Sequence, residues 1–236
     1  MPRTERVFDR DYLLHTLSGA IRVSTPAATW LLPPTFAAWI PAGTPIVLEM
    51  PRPVRTASVL YAPGVAGGPS GTCAFAMSLL AREMARHCRR WGPDRADHGP
   101  EAAAFFEALA ALVRELAKVP LELWRPHSDD PALARAIRHT EAHAAGPLTV
   151  GEVASASAMS ERTLLRRYGE ELGLTWGQSL RRVRMIAAIE RLLSTDDPVT
   201  TIALEVGYAS SSAFNAAFRD YTGTTPSDLR RAGRDG

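Results

Sequence analysis

The stretches MSERTLLRRYGEELG (Met159–Gly173) and IALEVGYASSSAFNAAFRDYTGTTP (Ile202–Pro226) decide how this chain is organised, because they carry one pattern twice. Ser160, Leu164, Tyr168, Gly173 and Thr175 recur as Ser210, Phe214, Phe218, Gly223 and Thr225, each displaced by 50. Upstream, Val153, Ala154 and Ala158 correspond to Ile202, Ala203 and Gly207 at a displacement of 49, so the second copy has one extra residue in its turn. Each copy reads as a short helix, a tight turn and a longer helix ending near Gly. The small Ala154 and Ala203 let two helices cross closely, and Gly207 suits a turn residue with positive φ. Leu164 with Tyr168, and Phe214 with Phe218, are i,i+4 pairs that face a core. Ser160 and Ser210 or Ser212 are N-caps for the second helices. Thr149–Glu152 and Thr175–Gln178 fit the capping box, and Thr225-Pro226 places Pro at the first position of a terminal helix.

Between the copies, Trp176–Ser194 reads as one helix of roughly 19 residues, spanning about 28 Å. That is close to the ~34 Å rise of one DNA turn, a length that would set two recognition helices on successive major-groove segments. An ordinary helical bundle with a coincidental repeat is the other reading, and five aligned positions at one constant offset speak against it.

Working outward, Arg125–Pro131 (RPHSDDP) reads as a linker, and residues 132–236 as all helix. Residues 72–124 read as two helices. Thr72–Trp91 carries Phe75, Leu79, Leu80 and Met84 at helical spacing, and Pro100–Val119 carries Phe105, Leu109, Leu112, Val113 and Leu116, with the polar connection Gly92–Gly99 between them. This pair either packs on its own β-domain or forms a dimerisation region. Residues 1–71 read as short strands: Val7-Phe8, Tyr12–Leu17, Ala20–Ser24, Thr29–Leu32, Ala37–Ile40, Ile46–Met50 and Ala57–Tyr61, broken by Ser-Gly and Pro-rich turns. The expected fold class is α+β, a small N-terminal β-barrel with a helical pair, then an all-α domain.

Composition narrows the function. Lys and Arg number 27 against 25 Asp and Glu, a net of +2, which excludes a basic tail or coat protein. By domain the balance is also flat: Pro147–Arg231 holds ten arginines and ten acids. Ser160–Arg184 differs, with six arginines against Glu161, Glu170 and Glu171, a net of +3. Two cysteines, Cys73 and Cys88, make neither a disulfide framework nor a Cys-based zinc site. The uncharged stretches Val23–Leu48 and Thr56–Ala81 are too rich in Pro and Gly to cross a membrane as helices. The start MPRTER has no apolar leader region, so a cytoplasmic location is expected. His139 and His143 are four apart, but no further ligand completes a metal set. No Gly-rich phosphate loop and no G-x-S-x-G elbow occurs, so no enzyme chemistry, catalytic residue or cofactor is expected.

Leu148–Arg230 resembles the DNA-binding domain of the AraC/XylS family of transcription regulators, on the two quoted runs with their G-Y, S-x-x-x-F-x-x-x-F and G-x-T-P elements. The resemblance implies seven helices in two helix-turn-helix units joined by the long helix. LSGAIRVSTPAATWLLPPTFAAWIPAGTP (Leu17–Pro45) resembles the cupin-like sensory domain of many such regulators. Where those relatives place a His-x-His pair this chain has Arg6–Asp11, and after Pro45 it has Ile46 in place of His. The imidazoles that would hold a metal are absent, so a cupin metalloenzyme is disfavoured.

In the first unit the outward residues are Arg162, Thr163, Leu165, Arg166 and Arg167; Arg162 and Arg166 sit one turn apart, suited to guanine, and Leu165 to a thymine methyl. Their alternative is a solvated face paired with Glu161 or Glu170. In the second unit they are Ser211, Ser212, Asn215 and Ala216, with Asn215 suited either to adenine or to a backbone bridge. Arg181, Arg182 and Arg184 are phosphate candidates, some of which should point away from DNA. His15, Trp30 and Trp39 are candidates for an effector pocket, against a plain core role. The function expected is a sequence-specific regulator of double-stranded DNA, modulated by a small-molecule effector or a homodimer contact, and meeting RNA polymerase if it activates. A DNA-binding regulator with no effector, or a non-metal cupin protein with an appended DNA-binding domain, are the alternatives.

Overall fold

The computed structural model describes residues 3–26, 28–50, 53–92, 99–121 and 123–234. The expected turn at Pro51-Arg52, the start at Met1-Pro2 and most of the Gly92–Gly99 connection lie outside the described residues. The chain divides into two units: one from the stretches Met1–Thr25, Leu31–Glu122 and Leu229–Gly236, the other from Pro26–Trp30 and Leu123–Asp228.

The first unit is built on antiparallel strands. These are β1 (Arg3–Val7), β2 (Asp11–Ser18), β3 (Ile21–Ser24), the end of β4 (Ala28–Leu32), β5 (Phe36–Ile40), β6 (Pro45–Glu49), β7 (Arg55–Tyr61) and β8 (Cys73–Ala76). One sheet runs β7-β2-β5-β8, with Leu13 opposite both Trp39 and Val59. A second sheet pairs β1 and β3 on either side of β6. These sheets replace the expected closed barrel: beyond β8 the pairing ends in a single bridge from Phe75 to Pro120, beside which the Leu121 N–H donates to Ala74 C=O at 2.7 Å. Proline has no N–H to extend a ladder, so the sheet stops there.

The predicted helix over Thr72–Trp91 is also corrected. Its first part is β8, and helix α1 (Leu79–His87) begins where the Ser78 hydroxyl accepts the Ala81 N–H at 3.2 Å. Phe75 is core through the sheet, while Leu79 and Leu80 are 67% and 62% exposed. The α1 face that packs is alanine, Ala81 and Ala85, which lets it lie close to α2 (Gly99–Leu116). Both helices cover the Leu13, Trp39, Val59 and Phe75 face of the four-stranded sheet, α2 contributing Ala102, Phe106, Leu109 and Val113. The helical pair packs on its own sheet.

The second unit starts with a correction to the linker. Trp124–Pro126 forms strand β9 and pairs with β4 through Ala28, Thr29 and Trp30. Helices follow as α3 (Pro131–His143), α4 (Val150–Ala156), α5 (Glu161–Leu172), α6 (Trp176–Ser194), α7 (Val199–Glu205) and α8 (Ser211–Thr222), and α9 (Pro226–Arg234) begins in this unit, its residues from Leu229 on being counted with the first. Asp130 caps α3, accepting the N–H groups of Ala132 and Leu133 at 3.0 and 2.9 Å, with Pro131 at the first turn. Both predicted capping boxes form, at Thr149–Glu152 and Thr175–Gln178. Leu133, Ala136, Val153, Ala154, Leu164, Tyr168 and Trp176 make the core of the first helix-turn-helix.

Candidate nucleic-acid interface

The two turns are near copies. Met159 N–H donates to Ala154 C=O at 2.9 Å, and Tyr208 N–H to Ala203 C=O at 3.0 Å. Ala158 and Gly207 occupy the same left-handed position, at φ 57 and 91. The extra residue of the second copy is therefore Ala209, between the Tyr208 bond and the Ser210 cap.

Each second helix is then fixed at three points. Ser160 accepts the Thr163 N–H and Ser210 the Ala213 N–H, both at 3.2 Å. Leu164, Tyr168, Phe214 and Phe218 are fully buried beneath them. Gly173 and Gly223 end them in the left-handed conformation. With those faces turned inward, Arg162, Leu165 and Arg166 are exposed on α5, and Ser212, Asn215 and Ala216 on α8; Thr163 and Ser211 are half-buried. Leu165, 46% exposed, is a large apolar side chain in solvent between two arginines.

The six arginines of the Ser160–Arg184 window have different roles. Arg166 is ion-paired with Glu170 one turn on, both exposed. An exposed i,i+4 pair is worth only about 0.3–0.5 kcal/mol, so it does not hold Arg166 away from a base or phosphate. Among the described residues, Arg162 alone of the six makes no ion pair, carbonyl bond or ring contact; Glu161 beside it leans back towards Gly151 of α4.

Arg167 was expected to face outward and instead ties α5 to α3. It meets Glu171 at 2.6 Å and Asp130 at 2.9 Å, and these partners push its pKa up. Arg182, expected on phosphate, is 2% exposed with its guanidinium over the Trp124 ring at 4.3 Å. The cause is helical phase: on α6 it falls on the face with Ser179, Val183 and Ile186, all buried. Arg184 donates to Ala144 C=O at 2.8 Å and Gly146 C=O at 3.0 Å, locking α6 to the α3–α4 corner. Arg181 stays exposed and pairs with Asp220 at 2.6 Å. Half of the six arginines, Arg167, Arg182 and Arg184, thus serve as internal struts, and Arg162, Arg166 and Arg181 remain at the surface.

Of the effector-pocket candidates, His15 and Trp39 lie in the first unit and Trp30 in the second. His15 is 1% exposed, its Nδ1 2.9 Å from Phe36 C=O, and burial pulls its pKa down to about 4, so the ring is neutral at pH 7. Trp39 is fully buried, donating from Nε1 to Pro69 C=O at 3.1 Å. Gly68 lies so close that a Cβ there would enter the Trp39 ring. Trp30 belongs to the β4–β9 pair of the other unit, opposite Trp124. His139 and His143 stack with centroids 4.1 Å apart, and among the described residues no His, Cys, Asp or Glu group of three or more is placed to hold a metal. Cys73 and Cys88 are free thiols, and no described helix is long and apolar enough to cross a membrane.

Sequence reading missed the Asp130–Arg167 and Trp124–Arg182 contacts. Asp130-Pro131 was a readable N-cap and first-turn proline; the cation–ring contact had no local signal.

A helix-turn-helix domain family matches residues 153–232. The chain is similar to the HTH-type transcriptional regulator NimR of Escherichia coli K12, 30% identical over 219 residues, covering 91% of this chain and 77% of that protein. It is similar to the HTH-type transcriptional activator RhaS of Escherichia fergusonii, 37% identical over 106 residues, covering 45% of this chain and 38% of that protein. Among solved structures, the DNA-binding domain of the global transcriptional factor AdpA in complex with a target DNA is 30% identical, covering 45% of this chain and 96% of that one, with a TM-score of 0.42. These relatives are named as transcriptional regulators, not enzymes.

Proposed function

Because the chain belongs to the AraC family of DNA-binding transcriptional regulators, we propose that its two helix-turn-helix units read one site unequally. The first supplies most of the base discrimination and the second mainly anchors. The observation that carries this is the contrast in exposed side chains: Arg162, Leu165 and Arg166 on α5 against Ser212, Asn215 and Ala216 on α8. Arginine takes guanine O6 and N7 in two bonds, and leucine packs on a thymine methyl; serine and alanine discriminate little. Ser212 and Arg181 suit phosphate, and Asn215 suits adenine. The α6 helix, 19 residues or about 28 Å long, suits successive major-groove segments.

In vitro selection of bound sequences, followed by footprinting of the DNA upstream of the protein's own coding sequence, tests this. The expected result is a site with one strongly specified half and one weakly specified half. Equal information in both halves, or no enriched sequence, overturns it.

The N-terminal unit, whose sequence resembles a cupin-like sensory domain, supports a second proposal: a small molecule bound there changes the affinity or geometry of DNA binding. A regulator without any effector is favoured by one observation, the packing of His15 and Trp39 into a filled core. DNA affinity measured with and without candidate metabolites separates the two.

A further inference from the structure

On the first unit, a cleft of about 630 Å³ opens between α2 and the loop after β7. That volume lies in the range of small-molecule sites, roughly 300–1,000 Å³. Leu60, Tyr61, Ala102, Phe106 and Ala110 line it. On the α2 side the lining includes Ala102, Ala103 and Ala110.

The walls are held before any ligand arrives. The Asp11 carboxylate accepts the N–H groups of Ala42 and Gly64 at 3.0 and 3.1 Å, fixing the loop. Arg114 donates to Ala66 C=O at 2.6 Å from the helix side, and Tyr61 O–H donates to Phe106 C=O at 3.3 Å. Such pre-organisation lowers the cost of binding.

The chemistry of the rim names the ligand. Arg10 and Arg114 face one acid in the lining, Glu107, leaving one positive charge in excess. Gly99, the first residue of the 18-residue α2, also lines the cleft, adding the positive end of a helix dipole. A groove whose lining is about half apolar and half polar, with a cationic rim, suits a small organic body bearing an anionic group.

We propose that this cleft binds a small organic monoanion, its ring or short chain on the alanine-lined groove and its carboxylate towards Arg10 and Arg114. This deepens the effector reading above by giving it a place and a chemistry. Its test is read without DNA, so that failure of the cleft and failure of the effector response are separate results.

Calorimetric titration of the full chain would use benzoate and decanoate as probes, with benzamide and decanamide as neutral isosteres. At least one acid is expected to bind with a Kd of micromolar to low millimolar order, and its amide at least about tenfold more weakly. Ala103 is exposed, so Ala103→Trp should fill the cleft and abolish binding while thermal unfolding stays unchanged. Arg10→Glu should weaken acid binding about tenfold or more and leave amide binding as it was. Binding of neither acid, equal binding of acid and amide, or full binding by a folded Ala103→Trp protein overturns the proposal. A separate titration of the selected DNA site, with and without the bound acid, reads the effector response.

Discussion

The two helix-turn-helix units share their caps, buried i,i+4 pairs and left-handed turns, and differ in the residues that fill the remaining positions. Residue for residue along the second helices, Arg162, Leu165, Arg166 and Arg167 stand where the second unit has Ser212, Asn215, Ala216 and Ala217. At the turn the contrast reverses: the first unit tolerates Ala158, and the second uses Gly207. The parts that repeat are those a helix-turn-helix needs to fold; the parts that diverge are the exposed side chains of the second helices and the residue at the turn, and on that divergence the proposed division of reading rests.

The largest effect should come from Gly207→Ala. A Cβ there would lie 2.9 Å from Ala144 C=O and from Arg184 Nε, and 3.0 Å from Ala145 C=O. Two of the three neighbours are backbone and cannot swing aside, and the φ of 91 adds strain for any L side chain. A loss of roughly 2–4 kcal/mol in urea unfolding is expected. A loss below about 0.5 kcal/mol would show that the corner is not rigid and that the contrast at the turns is accidental.

On the reading side, Arg166→Ala should lower specific DNA affinity by about 1–3 kcal/mol with little change in unfolding. Asn215→Ala should cost less, under about 1 kcal/mol, since a single amide contact to adenine or to backbone is all it can supply. Gel-shift titration of both variants on the selected site measures the ratio. An Asn215 effect as large as that of Arg166 would remove the division of labour.

Much of this layout was legible locally. The 49- and 50-residue offsets, the serine caps and both capping boxes are short-range signals, and each helix of the second unit begins within a residue or two of its cap. Six of the seven expected N-terminal strands form where alternation and Pro-Gly punctuation mark them, while the first lies at Arg3–Val7 and shares only Val7 with the expected Val7-Phe8. What was not legible depends on partners far away in the chain. Cys73–Ala76 is strand only because β5 offers an edge, and only Ser78 separates its apolar run from Leu79 and Leu80 of α1. Leu79 and Leu80 have core spacing but are displaced by Ala81 and Ala85, which pack closer. Arg182 matched its neighbours by type, and only the phase of α6 and the arrival of Trp124 set it inside.

The Asp130–Arg167 tie is a further asymmetry, since Ala217 cannot form its counterpart. Arg167, then the Leu133 and Ala132 N–H groups, hold the Asp130 carboxyl below the ordinary carboxylate range. A depressed carboxyl contributes stability that is present above its unfolded value, about 3.9, and is lost as pH falls through the folded value. Asp130→Asn keeps a cap and removes the charge. It should lower stability slightly at pH 7, less than Gly207→Ala does, and flatten the part of the acid loss below about pH 4 that Asp130 contributes. An unchanged acid profile would mean the tie does not bear on folding.

The smallest expected effect is the sharpest test of the turns. Ala158 holds a φ of 57 that costs alanine roughly 1–2 kcal/mol and glycine nothing. Glycine also enlarges the unfolded ensemble, which returns about 0.4–1 kcal/mol of that gain. Ala158→Gly should therefore be neutral or stabilising by up to about 1 kcal/mol, the opposite sign to Gly207→Ala at the equivalent position. Ala158 is exposed, so the change removes no buried contact that would mask the backbone effect. If the variant is instead clearly destabilised, the alanine methyl is doing something in the first turn that the shared backbone geometry does not require. The two turns would then differ in kind, and not only in how closely the α3–α4 corner approaches.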